Sequence, residues 1–154
     1  MKLYFLRHGK ADWDDWSEPD DERPLTKQGR KEMQSVAQLL RDLEVQPGLI
    51  LTSPLPRALQ TAEIVAERLG VELEQAPALG KNFSASKLRG LIKRAKGEDL
   101  MIVGHEPDFS AVLRVLTGGE VILKKGGLAR VDLENAASLS GRLAWLLPPK
   151  VARR

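Results

Sequence analysis

Lys2-Leu3-Tyr4-Phe5-Leu6-Arg7-His8-Gly9 follows Met1 with a short apolar run and then, without a spacer, a cation, an imidazole and a glycine. The run is partly aromatic and has the length of a buried central strand. Neighbouring side chains on a strand point to opposite faces. Arg7 and His8 can therefore serve one site only if the strand ends there and the chain turns. Gly9 permits such a turn and lets a ligand come close to the backbone. In open α/β sheets ligands sit beyond the carboxyl ends of the strands, which is where this triplet falls.

Working outward, the same grammar repeats. Residues 12–22 are polar and acidic, with Trp13 and Trp16 among the carboxylates and Pro19 and Pro24 discouraging a helix. They read as a surface loop whose Trp rings cover part of the core, or as a rim that selects substrates. Thr26 caps a helix over residues 27–43, with Met33, Val36, Ala37, Leu40 and Leu43 on one face. Residues 49–52 form a second strand. Ser53-Pro54-Leu55-Pro56 connects it to a helix that begins near Arg57, buries Ala58, Ala62, Val65, Ala66 and Leu69, and stops at Gly70. Residues 71–75 are a short third strand and 76–85 a loop. Ser86 can cap a helix over 87–95.

Residues 99–103 are another buried strand, followed by Gly104-His105-Glu106-Pro107-Asp108 and a helix over 109–116. Residues 127–134 and 142–147 read as a hairpin. The expected fold is an α/β three-layer sandwich: a mostly parallel central sheet, helices on both faces, and a C-terminal antiparallel hairpin. Residues 1–150 form one domain and 151–154 a frayed basic tail.

With 154 residues there is room for one domain with a full core. The apolar fraction is 42% and the charged fraction 29%, as in ordinary globular chains. There is no cysteine, so disulfides and thiolate chemistry are excluded. No apolar run approaches the ~20 residues of a membrane span, and no signal peptide is expected. A net charge of +3 is too small to argue for nucleic acid. A cytoplasmic monomer without nucleic-acid or membrane partners is the expectation.

Three strands end in functional polar groups: Arg7-His8, Ser53 with Arg57, and His105-Glu106. If the strands run parallel, two arginines and two histidines share one pocket. That set suits a phosphoryl group, because guanidinium donors match phosphate oxygens and stay charged. One imidazole can attack phosphorus if its other nitrogen is a donor to something fixed. The second can bind the transferring oxygens. Paired arginines repel a cation, and two histidines fall short of the three or four ligands of a zinc site. No metal and no cofactor is expected. Ser53 reads as a turn residue, and Glu106 as a loop carboxylate that bonds within its loop or faces the substrate.

Four segments, LYFLRHGKAD (3–12), RPLTKQG (23–29), LTSPLPRALQTAEIV (51–65) and IVGHEPDFS (102–110), resemble the histidine phosphatase superfamily in order and spacing, most closely its SixA-type phosphohistidine phosphatases. The resemblance implies a catalytic set of His8, Arg7, Arg57 and His105, with His8 the nucleophile that carries the phosphoryl group covalently. It also implies a substrate-binding set of Arg7, Gly9, Arg57, His105 and Glu106. Many ester-cleaving relatives place a glutamate acid after the second helix. Here the corresponding stretch reads Gln75-Ala76-Pro77-Ala78-Leu79-Gly80, and Ala78 takes the acid's place. The implied activity is dephosphorylation of a phosphohistidine on a partner protein, in signal transduction. The alternatives are a monoesterase acting on a sugar or nucleotide phosphate, and a phosphate- or phosphoprotein-binding module without turnover.

Overall fold

A computed structural model describes residues 1–153. In chain order its elements are β1 (Lys2–Arg7), α1 (Lys27–Asp42), β2 (Leu49–Thr52), α2 (Pro56–Leu69), β3 (Leu73–Gln75), α3 (Ala85–Arg94), β4 (Leu100–Gly104), α4 (Asp108–Thr117), β5 (Leu128–Asn135) and β6 (Ser140–Leu147). Single 3-10 turns stand at Asp20–Glu22, Pro77–Leu79 and Pro149–Ala152.

The six strands form one sheet in the order β3-β2-β4-β1-β5-β6. β1 pairs with β4, and β2 with β3 and β4, all parallel; β5 runs antiparallel to both β1 and β6. Strand alternation divides the core into two layers. Leu3 and Phe5 face one way, with Leu51, Leu100 and Ile102, against Leu88 and Leu91 of α3 and Phe109 and Leu113 of α4. Tyr4 and Leu6 face the other, with Ile50, Met101 and Val103, against Met33 and Val36 of α1 and Ala58, Ala62 and Val65 of α2. This is the expected three-layer α/β sandwich with its antiparallel C-terminal hairpin.

The strand ends are level. Arg7 is in register with Gly104, and Thr52 with Val103. The ladder continues one residue further, through His8 N–H to Gly104 O at 3.1 Å and Ser53 N–H to Val103 O at 2.9 Å. His8, Ser53 and His105 therefore leave the sheet together along one edge.

α1 is capped as expected, with Thr26 Oγ1 accepting from Gly29 N–H at 3.0 Å. Its first turn lies hard against the chain beyond His8: a Cβ on Gly29 would stand 2.2 Å from the Lys10 carbonyl oxygen. Four local expectations are corrected. Leu43 is not core; it follows the last turn of α1 and is 40% exposed, because the chain reverses at Glu44 (φ 59°) and buries Val45 instead. α3 begins at Ala85, with Ser84 rather than Ser86 at its N-cap; the two hydroxyls bond to each other at 3.0 Å. Trp13 does not cover the core. Its ring is exposed and tilted against Trp16, and the two indole N–H groups brace the loop by donating to Pro24 O and Pro19 O. Finally, Val151 and Ala152 are not frayed: the last 3-10 turn buries Ala152 in the α1–α2 core layer and Arg153 pairs with Glu32. Arg154 lies outside the described residues.

Candidate active site

The edge where His8, Ser53 and His105 emerge is the floor of a pocket of about 560 Å³, lined among others by Arg7, His8, Arg57, His105, Glu106 and Lys125. The four side chains expected to act together are thus brought into one cavity from β1, α2 and the β4–α4 turn.

His8 and His105 are buried, with ring centroids 5.2 Å apart. His8 Nδ1 lies 2.7 Å from the Gly9 carbonyl oxygen. A carbonyl can only accept, so Nδ1 carries the proton and the neutral ring keeps its lone pair on Nε2. Burial, with the nearby His105, Arg57 and Arg7, pushes the His8 pKa down to about 3. His105 is lowered to about 4, chiefly by burial and then by Arg57. Both rings are neutral at physiological pH. His105 Nε2 lies 2.8 Å from Ser53 Oγ.

The arginines are fixed at their tips and free at their elbows. Arg7 Nη1 donates to Leu123 O at 2.9 Å, and Arg57 Nη1 to Asp20 O at 3.0 Å. Arg7 Nε, Arg57 Nε and His105 Nδ1 are buried without a hydrogen-bond partner among the described residues. Buried polar nitrogens are ordinarily satisfied. Three unsatisfied ones, two of them on guanidinium groups in a single pocket, are suited to the oxygens of an anion. Burial lowers the pKa of both arginines, an effect that Glu106 offsets for Arg7 and Asp20 for Arg57.

Carboxylates also line the pocket, and each is engaged. Asp12 bonds Lys125 Nζ at 2.7 Å, and Asp21 bonds Lys81 Nζ at 2.5 Å. These lysines hold both acids below the usual carboxylate range. Asp108 accepts from Phe83 N–H at 3.1 Å. Glu106 turns its carboxylate into the first turn of α4, where Ser110 N–H at 2.8 Å and the Ser110 hydroxyl bond it. Ala78, the position expected to lack the acid, is not among the lining residues; Gly80, Lys81 and Asn82 are. Among the described residues no group of three or more His, Cys, Asp or Glu side chains could hold a metal ion.

Gly9 departs from expectation. It does not line the pocket, and its N–H is engaged by Thr61 Oγ1 at 3.0 Å. A Cβ there would lie 2.7 Å from Met33 Cγ, so glycine is required by α1 packing beneath it rather than by a ligand above. Its carbonyl is what the site uses. Thr61 also goes unread in the sequence, although its spacing from Arg57 puts both on one face of α2; its hydroxyl donates to Arg57 O at 2.8 Å. The segment carrying Leu123 and Lys125 offers no local signal. Only tertiary folding brings it back to Arg7 and Asp12.

The histidine phosphatase superfamily (branch 1) matches this chain over residues 3–83. An uncharacterized protein of Picosynechococcus sp. is 38% identical over 96% of this chain and 100% of its own length. Phosphohistidine phosphatase SixA of Escherichia coli is 27% identical over 97% of this chain and 94% of its own. A solved structure of the protein histidine phosphatase SixA complexed with tungstate superposes with a TM-score of 0.86 at 27% identity, covering 99% of this chain and all of that one.

Proposed function

This chain belongs to the histidine phosphatase superfamily, as a SixA-type phosphatase, and we propose that it hydrolyses phosphohistidine on a partner protein through a covalent phosphohistidine at His8. The observation that carries this reading is the anchoring of His8: Nδ1 tied to Gly9 O, with Nε2 left as an unprotonated nucleophile beside two guanidinium groups.

In the first step the Nε2 lone pair forms a bond to phosphorus while the bond from phosphorus to the leaving imidazole breaks. That imidazole takes a proton from solvent on its far nitrogen and departs neutral. The His8 ring gains positive character as it bonds, and the Gly9 carbonyl facing Nδ1–H stabilises it. In the second step a water oxygen bonds to phosphorus and the His8 Nε2–P bond breaks. The water proton passes to solvent, inorganic phosphate leaves, and His8 returns neutral.

Charge spreads over the equatorial phosphoryl oxygens during both steps. Arg7, Arg57 and His105 supply preorganised donors for it in a buried setting, where such donors act most strongly. The choice of a P–N bond is supported by the carboxylates. An alkoxide leaving group needs an acid that stays protonated near neutral pH, whereas Asp12 and Asp21 are held ionised by their lysines. The test is turnover measured side by side on a phosphohistidine-bearing protein and on alkyl phosphates. Faster turnover of the alkyl esters would overturn the proposal.

A further inference from the structure

We propose that Ser53 is a positioning residue whose hydroxyl donates to Nε2 of His105, keeping the ring's single proton on Nδ1, the nitrogen that meets the phosphoryl group. The inference rests on the phosphatase reading for the identity of that ligand. The tautomer itself follows from hydrogen-bond accounting.

Ser53 is fully buried at the end of β2. Its Oγ has two neighbours: Leu55 N–H at 3.2 Å and His105 Nε2 at 2.8 Å. The first is a backbone donor, so Oγ accepts there. A hydroxyl has one hydrogen to give, and among the described residues the acceptor bonded to it is Nε2. If Nε2 carried a proton instead, the serine hydrogen would be buried without a partner, and so would the lone pair on Nδ1. With Nε2 accepting, Nδ1 becomes an N–H donor, and an anionic oxygen supplies the partner it lacks among the described residues.

The groups facing His105 do not protonate both nitrogens. Arg57 and Arg7 oppose a second proton, Asp108 and Asp21 favour it, and burial outweighs them. A neutral ring has to put its one proton on the right side, and Ser53 makes that choice. His8 and His105 then hold the same tautomer but present opposite ends of it. His8 is anchored through Nδ1–H and offers a lone pair; His105 is anchored through Nε2 and offers an N–H.

The test is the tautomer seen directly by long-range proton–nitrogen NMR of the full chain labelled with nitrogen-15 in histidine, at pH 7. The chain has two histidines, so a His105→Asn spectrum assigns the signals. The expected result is an unprotonated Nε2 and a protonated Nδ1 on His105, with the Nδ1 signal shifting when inorganic phosphate is added. Ser53→Ala should populate the Nε2–H form and lower kcat/KM on a phosphoramidate by ~100- to 1,000-fold, the scale for losing one preorganised donor. Ser53→Thr, which keeps the hydroxyl, should recover both tautomer and rate.

A protonated Nε2 on wild-type His105 overturns the proposal, whether or not any variant folds. A slow Ser53→Ala protein with an unchanged tautomer also overturns it, leaving Ser53 only its bond to Leu55. An inactive wild type with the expected tautomer would instead count against the phosphatase reading.

Discussion

His8 and His105 face each other with their ring planes tilted by 52° and their centroids 5.2 Å apart, and each is tethered to the frame behind it by one nitrogen. Neither ring is charged at neutral pH. A pair so arranged can transfer a phosphoryl group without first losing a proton.

The nucleophile is tested by removal and by trapping. His8→Ala should abolish turnover while the variant keeps the circular dichroism spectrum of the parent, because the ring lies beyond the last residue of β1. Rapid quenching of wild type with labelled substrate should yield acid-labile phosphate on His8. Label on His105, or measurable turnover by the variant, would rule out the mechanism.

Arg57→Lys should lower kcat/KM by well over ~10-fold. The guanidinium is held through Nη1 to Asp20 O while its Nε is buried without a partner among the described residues, and one ammonium cannot make both contacts. A near-normal rate would remove Arg57 from the phosphoryl site.

The lowered histidine pKa values set two pH dependences. Activity requires neutral His8, so the acid limb of kcat/KM should fall near pH 3 to 4 rather than near 6.5. For stability, the unfolded chain takes up these protons near pH 6.5 but the folded one only near 3 to 4. Between those values the unfolded state holds more protons, so stability rises with pH. The contribution is complete above 6.5 and is lost as pH falls toward the folded values. Urea midpoints at pH 7.5 and 5 should show the drop in wild type and a smaller one in His8→Asn. An acid limb at pH 6.5 would contradict the buried, neutral pair.

Phosphoramidate should be hydrolysed faster than alkyl phosphates, and aryl phosphates, whose leaving groups need less protonation, should be the best of the esters. Because Ala78 stands off the pocket lining, Ala78→Glu should leave the ratio of specificity constants unchanged. A selective gain in alkyl ester turnover would show that the 3-10 turn Pro77–Leu79 reaches the leaving group.

Gly29→Ala should destabilise the protein by about 2 kcal/mol or more, in the range of core overpacking, because the added methyl meets the Lys10 backbone oxygen rather than a flexible side chain. For a domain of this size each kcal/mol lowers Tm by roughly 2–4 °C. Calorimetry showing an unchanged Tm would mean that α1 can move away from the chain beyond His8.

The alternation of short apolar runs with amphipathic helices, and the polar groups set at the strand ends, were legible because they are local. Phe5 and Leu6 must face opposite layers wherever the strand lies, and Arg7-His8, Arg57 and His105 follow strands by chain order alone. That order, with parallel pairing, is enough to predict a shared pocket. It could not say how each ring is anchored. The bond from Ser53 to His105 spans 52 residues and that from Arg7 to Leu123 spans 116, and no periodicity encodes such a separation. The need for Gly9 was legible, but its reason lay in Met33 on a helix still to be packed. Whether Asp21 is a free acid or an ion paired with Lys81 was likewise left to the fold. Sequence determined which chemical groups reach the sheet edge, because strand length and side-chain alternation are properties of the local backbone. Tertiary structure decided which nitrogen of each histidine is anchored, because burial and long-range hydrogen-bond partners exist only once the layers have closed.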